Sequence, residues 1–338
     1  MKTRRHESHR HESHRHEFRA ALGFLLPNFL GFAVFTAGPV LFSLAISISN
    51  WHLHRTVPFQ WIGLHNFAEL LHDRDFWLYS VNTAYLMLGL PLAILGSLFL
   101  AILLSQRLRG IVLYRTLFYL PTFTSGVALM LLWKALYNPE FGAFNAAINW
   151  TIDTFRIDGL ARALGGAGVS APTWLLSTRN LFGLDVEQVR FAPSQWGIGA
   201  RDALIIMGIW VAIGGNNMLL YLAGISNIPL ELVEAAQLDG AGRWAIFRNV
   251  TWPQLAPTTF FIVVMSFIGG LQGGFEQARV MTVGGPAGTT TTIAYYIYTK
   301  AFEEFQIGYA AAVSWVLFVA IFAITMINWR LGSKELNY

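Results

Sequence analysis

Read as a pattern of apolar and polar positions, the chain alternates long uncharged runs with short polar connections. Six runs stand out: Ala20–Asn50, Ser80–Gln106, Thr116–Trp133, Ala203–Leu230, Leu255–Phe275 and Phe305–Trp329. Each approaches or exceeds the ~20 residues a helix needs to cross the hydrocarbon core. The pattern predicts an all-α integral membrane protein with six transmembrane helices. Gly38-Pro39 and Gly89-Leu90-Pro91 fall inside runs and are expected to bend or loosen them, which neighbouring helices tolerate. The third run is the shortest, and Lys134 at its end is placed to snorkel to the interface.

The stretch 227–257, NIPLELVEAAQLDGAGRWAIFRNVTWPQLAP, lies between the fourth and fifth runs and carries charges of both signs. Pro229 suits the first turn of a helix, where its missing N–H costs nothing. Glu231 and Glu234 sit near that positive end. Leu232, Ala235, Ala236 and Leu238 make a small apolar face, and Asp239-Gly240 supplies the stop, since glycine tolerates the left-handed helix end. A second short helix, Arg243 to Val250, is expected to end at Trp252-Pro253, because the residue before proline avoids the helical region. Ala235, Ala236, Gly240, Ala241 and Gly242 leave little bulk at the middle, so another protein surface could come close. The alternative is an ordinary loop with two surface helices.

Composition supports the membrane assignment. The chain has 338 residues, 54% hydrophobic and only 12% charged, against about 25% charged in ordinary soluble domains. A net charge of +4 then reports basic loops rather than nucleic-acid binding. Without cysteine, disulfides and thiolate metal sites are excluded. No cleavable signal peptide is expected, since the first run is too long for one. Lysine and arginine concentrate in connections on one side (Arg107, Arg109, Arg115, Arg243, Arg248, Arg330, Lys334, and the basic residues before position 20). The other side's short loops hold Arg55, Arg74, Arg279 and Lys300. By the positive-inside rule both termini and the 227–257 loop are cytoplasmic.

Residues 1–19 repeat HESHR and read as a His-rich disordered tail, with metal binding by its histidines as the alternative. Residues 20–332 form the membrane domain and 333–338 a short cytoplasmic tail. In the long connection 138–202, Phe141–Ile152 is expected to be a short amphipathic helix, and Arg179–Gly199 has no legible structure. Trp51, Trp61, Trp133, Trp174 and Trp196 suit the bilayer interface or an outward partner surface.

No P-loop is present: none of the four lysines follows glycine. No carboxylate falls in mid-span, which argues against a proton-driven carrier; Glu276, at the edge of the fifth run, is expected to be salt-bridged at the interface. Neutral polar residues in the spans serve either as helix–helix contacts or as hydrogen-bonding groups for a polyol. Asn216-Asn217 after Gly214-Gly215 is the leading candidate, as two amides in mid-helix beside space opened by glycines. Gln272 between Gly269-Gly270 and Gly273-Gly274, and Ser125, are further candidates.

Glu234-Ala235-Ala236, then Asp239-Gly240-Ala241, then Val250-Thr251-Trp252-Pro253 resemble the EAA loop of ABC-importer permeases, most closely the first permease subunit of binding-protein-dependent sugar systems of the maltose and glycerol-phosphate type. That family often has Ile-Thr-Leu-Pro in the last position. The resemblance extends to Asn82-Thr83, to Tyr114–Pro121, to Trp133 with Tyr137-Asn138-Pro139, to Thr282 with Gly284-Gly285-Pro286 and Thr292, and to Gly308–Ala312. It covers roughly residues 20–332, with Arg179–Gly199 looking like an insertion. It implies the type I ABC importer permease fold in the inner membrane and a second homologous permease subunit. It also implies an ABC ATPase dimer that binds ATP and Mg, a solute-binding protein outside, and surrounding lipid. This chain itself would bind no cofactor and no nucleic acid, and would not be an enzyme. Glu234, Ala235, Ala236, Asp239, Gly240, Ala241, Phe247 and Pro253 would couple to the ATPase. The solute would be a sugar, oligosaccharide or polyol. The competing class is an integral membrane enzyme acting on lipid-linked sugars, for which Asp73, Asp75 and Glu276 are the only loose candidates.

Overall fold

The computed structural model describes residues 21–54, 58–106, 109–163, 168–185, 188 and 190–332. The His-rich tail and residues 333–338 lie outside them. The described chain is overwhelmingly helical. Five helices are long and apolar enough to cross a membrane, or six if one bent pair counts as a single span. They are α1 (Ala21–Ser47), α3 (Arg74–Ser105), α8 (Ala200–Ser226), α10 (Arg243–Gln272) and α11 (Ile307–Gly332); the bent pair is α4 (Ile111–Phe123) with α5 (Gly126–Leu136). Shorter helices fill the connections: α2 (His65–His72), α6 (Ala143–Thr154), α7 (Ile157–Ala163) and α9 (Leu230–Leu238).

The chain divides into two compact units. One ends at Leu70 and takes in Lys300–Trp315; the other covers Leu71–Thr299 and resumes at Val316. In the first, the strap after α1 is tied by bridges Ser49 to Trp61 and His52 to Gln306. The buried Asn66 amide donates to the carbonyls of Ser47 and Ser49 at 2.8 and 2.9 Å, satisfying groups that α1 leaves open at its end.

In the second unit, α3, α8 and α10 pack on one another around Leu98, Ala101, Met218, Tyr221, Leu255 and Ile262. A second cluster joins α5 and α8 to the long connection. Trp133, Tyr137 and Trp174 are its centre, and Trp174 Nε1 donates to Asn145 at 2.6 Å. Trp133 and Trp174 are therefore core residues, not interface anchors. Trp61 and Trp196 are exposed. The helix expected at Phe141–Ile152 is present as α6, shifted two residues along the chain.

Prolines inside the spans are accommodated by changes of helical pitch. Gly38 N–H bonds to the Ala33 carbonyl and Trp252 N–H to that of Phe247, each a wide π-type turn immediately before Pro39 and Pro253. Before Pro91 the device is a tight turn, Met87–Gly89. Each adjustment moves the carbonyl that a proline ring would strike in an ordinary turn. The expectation that Trp252-Pro253 ends a helix is overturned: the helix starting at Arg243 runs unbroken to Gln272. The third run, expected as one span, is instead broken at Thr124-Ser125 and bent by 97°. Pro121 lacks the N–H of its turn, and Thr124 and Ser125 are extended.

A buried polar network holds the segment after the fifth span. The Asn82 amide donates to the carbonyls of Gly288 and Thr291 at 2.9 and 3.1 Å, and its oxygen accepts from Arg201 Nε at 3.2 Å. Arg201 Nε also reaches the Thr289 carbonyl at 2.9 Å. Thr83 Oγ1 accepts from the Ile293 N–H at 3.0 Å. Two separate stretches of the family resemblance, Asn82-Thr83 and the segment from Thr282 to Thr292, thus meet in one place, joined by Arg201. Asn82→Ala strands two carbonyls and half of the Arg201 arrangement, each loss worth about 1–3 kcal/mol. The variant is expected to melt several degrees lower in detergent, by intrinsic fluorescence; an unchanged melting curve would contradict this role.

Candidate functional site

The 227–257 stretch projects from the rest of the chain. No residue from Ala223 to Gln254 is buried. α9 starts after Pro229, which stands at the cap rather than inside the first turn, with Glu231 in that turn. Its end is fixed by paired bonds: Gly240 N–H to the Gln237 carbonyl at 3.0 Å and Ala241 N–H to that of Ala236 at 2.9 Å. This is the Schellman arrangement, and it requires the left-handed residue that Gly240 provides at φ +78°. Among the described residues nothing lies within 4 Å of a Cβ built on Gly240. Glu234, Ala235 and Asp239 are exposed, and Ala236 and Ala241 half-buried. Leu238 is 89% exposed, and none of the described residues covers it. Phe247 is turned the other way. It packs on the core cluster between Trp244 and Trp252, its ring 5.5 and 6.3 Å from theirs, and so roots the loop in the bundle. Pro253 is exposed on the continuing helix.

The second feature is a pair of adjoining clefts inside the second unit. One, of about 270 Å³, lies between α3, α8 and α10, with polar groups from Thr83, Asn217, Ser266, Gln277 and Thr292. The other, of about 500 Å³, lies between the broken third span and α8, with polar groups from Thr122, Thr124, Asn216, Asn217 and Gln277. Gly208, Ala212, Asn217 and Gln277 line both. None of the lining residues carries a formal charge.

Placement of the sequence candidates differs in detail. Asn216 and Asn217 do face the clefts, but they open a new helical turn after a break at Gly214-Gly215 rather than sitting in mid-helix. Asn216 Oδ1 accepts from the Tyr119 hydroxyl at 3.0 Å, leaving Asn217 the less committed amide. Gly214 opens no space: a Cβ there would collide with the Phe118 carbonyl, so this glycine allows α4 to approach α8. Gln272 is exposed and lines neither cleft, because Ser266, Gly269, Gly270 and Gly273 form one helical stripe that faces away from it. Ser125 is exposed in the break and lines neither. Of the other neutral polar residues in the apolar runs, Thr83, Ser266, Thr122 and Thr124 do line the clefts; Gln277 and Thr292 lie outside those runs, and sequence reasoning missed them as cavity groups.

The carboxylates of the enzyme alternative do not converge. Asp73 caps α3 through the Asp75 N–H and accepts from the Tyr296 hydroxyl. Glu276 lies beside Gly126 at the start of α5, and no ion pair joins it among the described residues, contrary to the expected salt bridge.

Residues 80–331 match the family model described as the binding-protein-dependent transport system inner membrane component. The probable ABC transporter permease YesP of Bacillus subtilis (strain 168) is 33% identical over 324 residues, covering 94% of this chain and 92% of that protein. The probable starch degradation products transport system permease AmyD of Thermoanaerobacterium thermosulfurigenes is 29% identical, covering 90% of this chain and 91% of that one. Among solved structures, a bacterial alginate ABC transporter in complex with alginate pentasaccharide-bound periplasmic protein superposes with a TM-score of 0.71 at 23% identity. It covers 94% of this chain and 95% of that chain. A projecting loop, a broken-span bundle with uncharged clefts, and a family match over most of the length agree. The chain belongs to the inner membrane components of binding-protein-dependent transport systems, as a multi-pass ABC transporter permease.

Proposed function

We propose that the chain is the translocation subunit of an ATP-driven importer for an uncharged sugar, oligosaccharide or polyol. A second, homologous permease would complete the path, an ATPase pair carrying ATP and Mg would dock on the 227–257 loop, and a solute-binding protein would deliver cargo from outside. Both termini would be cytoplasmic, in line with the basic connections on the loop's side. The observation that carries this reading is the continuity of α10. The same 30-residue helix begins in the exposed loop at Arg243 and ends in the glycine stripe of the cleft. At about 1.5 Å per residue, a push on the loop is delivered at the cleft without an intervening joint. Closure of the ATPase pair would thus tilt the cleft walls between two accessibilities.

The cleft chemistry supports the solute class. Amides and hydroxyls on a floor of glycine and aliphatic carbon suit a polyol, whose hydroxyls hydrogen-bond and whose C–H faces lie on apolar surface. The transport function named for AmyD, starch degradation products, is of this kind.

Replacing Gly240 with leucine forces a side chain into the left-handed region at a cost of about 1–2 kcal/mol and puts bulk on the docking face. ATPase recovered with the affinity-purified permease should fall about tenfold while membrane insertion is unchanged. Undiminished recovery would show that the ATPase does not engage here. In proteoliposomes containing the complete transporter, Asn217→Ala and Gln277→Ala should each lower uptake of maltotriose or the identified cargo about tenfold, the equivalent of ~1.4 kcal/mol. Gln272→Ala and Ser125→Ala should leave it unaltered. Equal effects at all four positions would place the path elsewhere.

A further inference from the structure

A third cavity, separate from the two clefts, opens between the end of α5 and the segment after the fifth span. It measures about 400 Å³, within the range of roughly 300–1,000 Å³ usual for ligand sites. Lys134, Asn138 and Thr173 line it with polar groups, and Leu176, Met281 and Val283 with apolar ones; no lining residue is acidic. The exposed Lys134 ammonium makes one long bond, to the Val280 carbonyl at 3.5 Å. The Asn138 oxygen accepts from the N–H groups of Glu140 and Phe141 at 2.9 and 3.1 Å. Its own amide N–H groups, and the Thr173 hydroxyl, have no partner among the described residues. A cation and two neutral donors with no carboxylate between them suit one negative charge.

The position of the cavity along the bundle is fixed by Tyr137, whose hydroxyl donates to the Ala203 carbonyl near the start of α8 at 2.8 Å. From there α8 runs 27 residues, about 40 Å at 1.5 Å per residue, before the chain enters the 227–257 loop. Lys134 therefore stands at the end of the membrane domain away from that loop. Below it lies an apolar track. Val127, Leu131 and Lys134 are spaced i, i+4, i+7 and share one face of α5, and Val127 and Leu131 are 47% and 54% exposed. At the rim, Val283 is held at φ +52°, a region costly for a β-branched residue, yet is 68% exposed.

We infer that this cavity is a lipid site. It seats the phosphate of an anionic phospholipid against Lys134, Asn138 and Thr173, in the leaflet away from the 227–257 loop, with an acyl chain along Leu131 and Val127. The inference depends on the membrane assignment and not on the identity of the cargo. Phospholipid is the occupant because charge and apolar surface are both matched, and in the right order. The cation is at the end of the span and the track descends from it into the hydrocarbon, where a sugar would leave its hydroxyls unbonded. Seated there, the headgroup bridges α5 and the segment after the fifth span and covers Val283.

The test uses the full chain with its partner subunits in mixed micelles. Phosphatidylglycerol carrying a diazirine in one acyl chain should label the peptide that holds Val127 and Leu131, and the matching phosphatidylcholine should label it about fivefold less, as one lysine at the membrane surface warrants. Lys134→Gln should remove that preference and Lys134→Arg should keep it. Two arms need no variant, so they decide the matter if Lys134→Gln does not assemble. Unlabelled phosphatidylglycerol should compete away the labelling of the native chain, and millimolar glycerol phosphate should not. Equal labelling by the two lipids, or a preference that survives Lys134→Gln, would overturn the site. Competition by glycerol phosphate would assign it to a soluble anion instead. Absence of any label on this peptide would show the face covered by another subunit, and would overturn it too.

Discussion

Hydrocarbon offers no hydrogen bonds, so every backbone group that leaves a helix within the membrane domain must find its partner inside the protein. That constraint organises the second unit. The segment following the fifth span abandons regular structure, and its carbonyls at Gly288, Thr289 and Thr291 are met by Asn82 and Arg201. Arg201 and Asp202 occupy the first turn of α8 and are almost fully buried. They are tolerated there because each has several partners, an arrangement that fixes which helices stand next to which. Breaks elsewhere follow the same rule by cheaper means: a wide or tight turn ahead of a proline, or the glycine pair Gly214-Gly215 within α8.

Much of this was legible in the sequence. Uncharged runs located the spans, apart from the early start of α10 at Arg243 and the break in the third, and Asp239-Gly240 marked the end of α9 because only one residue type is comfortable where the chain must turn left-handed. What escaped was governed by partners distant in sequence. Arg201 and Asp202 fall in a connection by sequence, since charge in a span is costly until Asn82, Tyr85 and the N–H groups of Leu181 and Gly199 are brought to it. Trp133 and Trp174 were read as interface residues because composition cannot tell an aromatic at a boundary from one in a core. The third run passed as a single helix, although Pro121 and Ser125-Gly126 punctuate it, because its hydropathy is continuous across the break. Gln272 is the instructive error: the amide drew attention, while the helical spacing of Ser266, Gly269, Gly270 and Gly273 already turned it away.

The loop and the clefts differ in how their residues are held. In the loop, nothing is buried and conformation is set locally, by Pro229 at one end of α9 and Gly240 at the other. In the clefts, position comes from close helix approach, as where Gly214 admits the Phe118 carbonyl and Gly270 lies against Met87 and Leu90. A surface of the first kind can adapt to a partner. One of the second kind moves only as its helices move, which suits a path whose walls must shift as bodies.

The wide turn Phe247–Thr251 gives the unbroken passage of α10 between these regions a geometrical meaning. Such a turn holds one residue more than an α-helical turn, and a residue corresponds to about 100° of rotation about the axis. The stripe from Ser266 to Gly273 is aimed at the cleft only with that extra residue in place. The turn ahead of Pro253 therefore sets the angular phase between the exposed end of α10 and its cleft-lining end, and the number of residues through it is constrained as firmly as their identity.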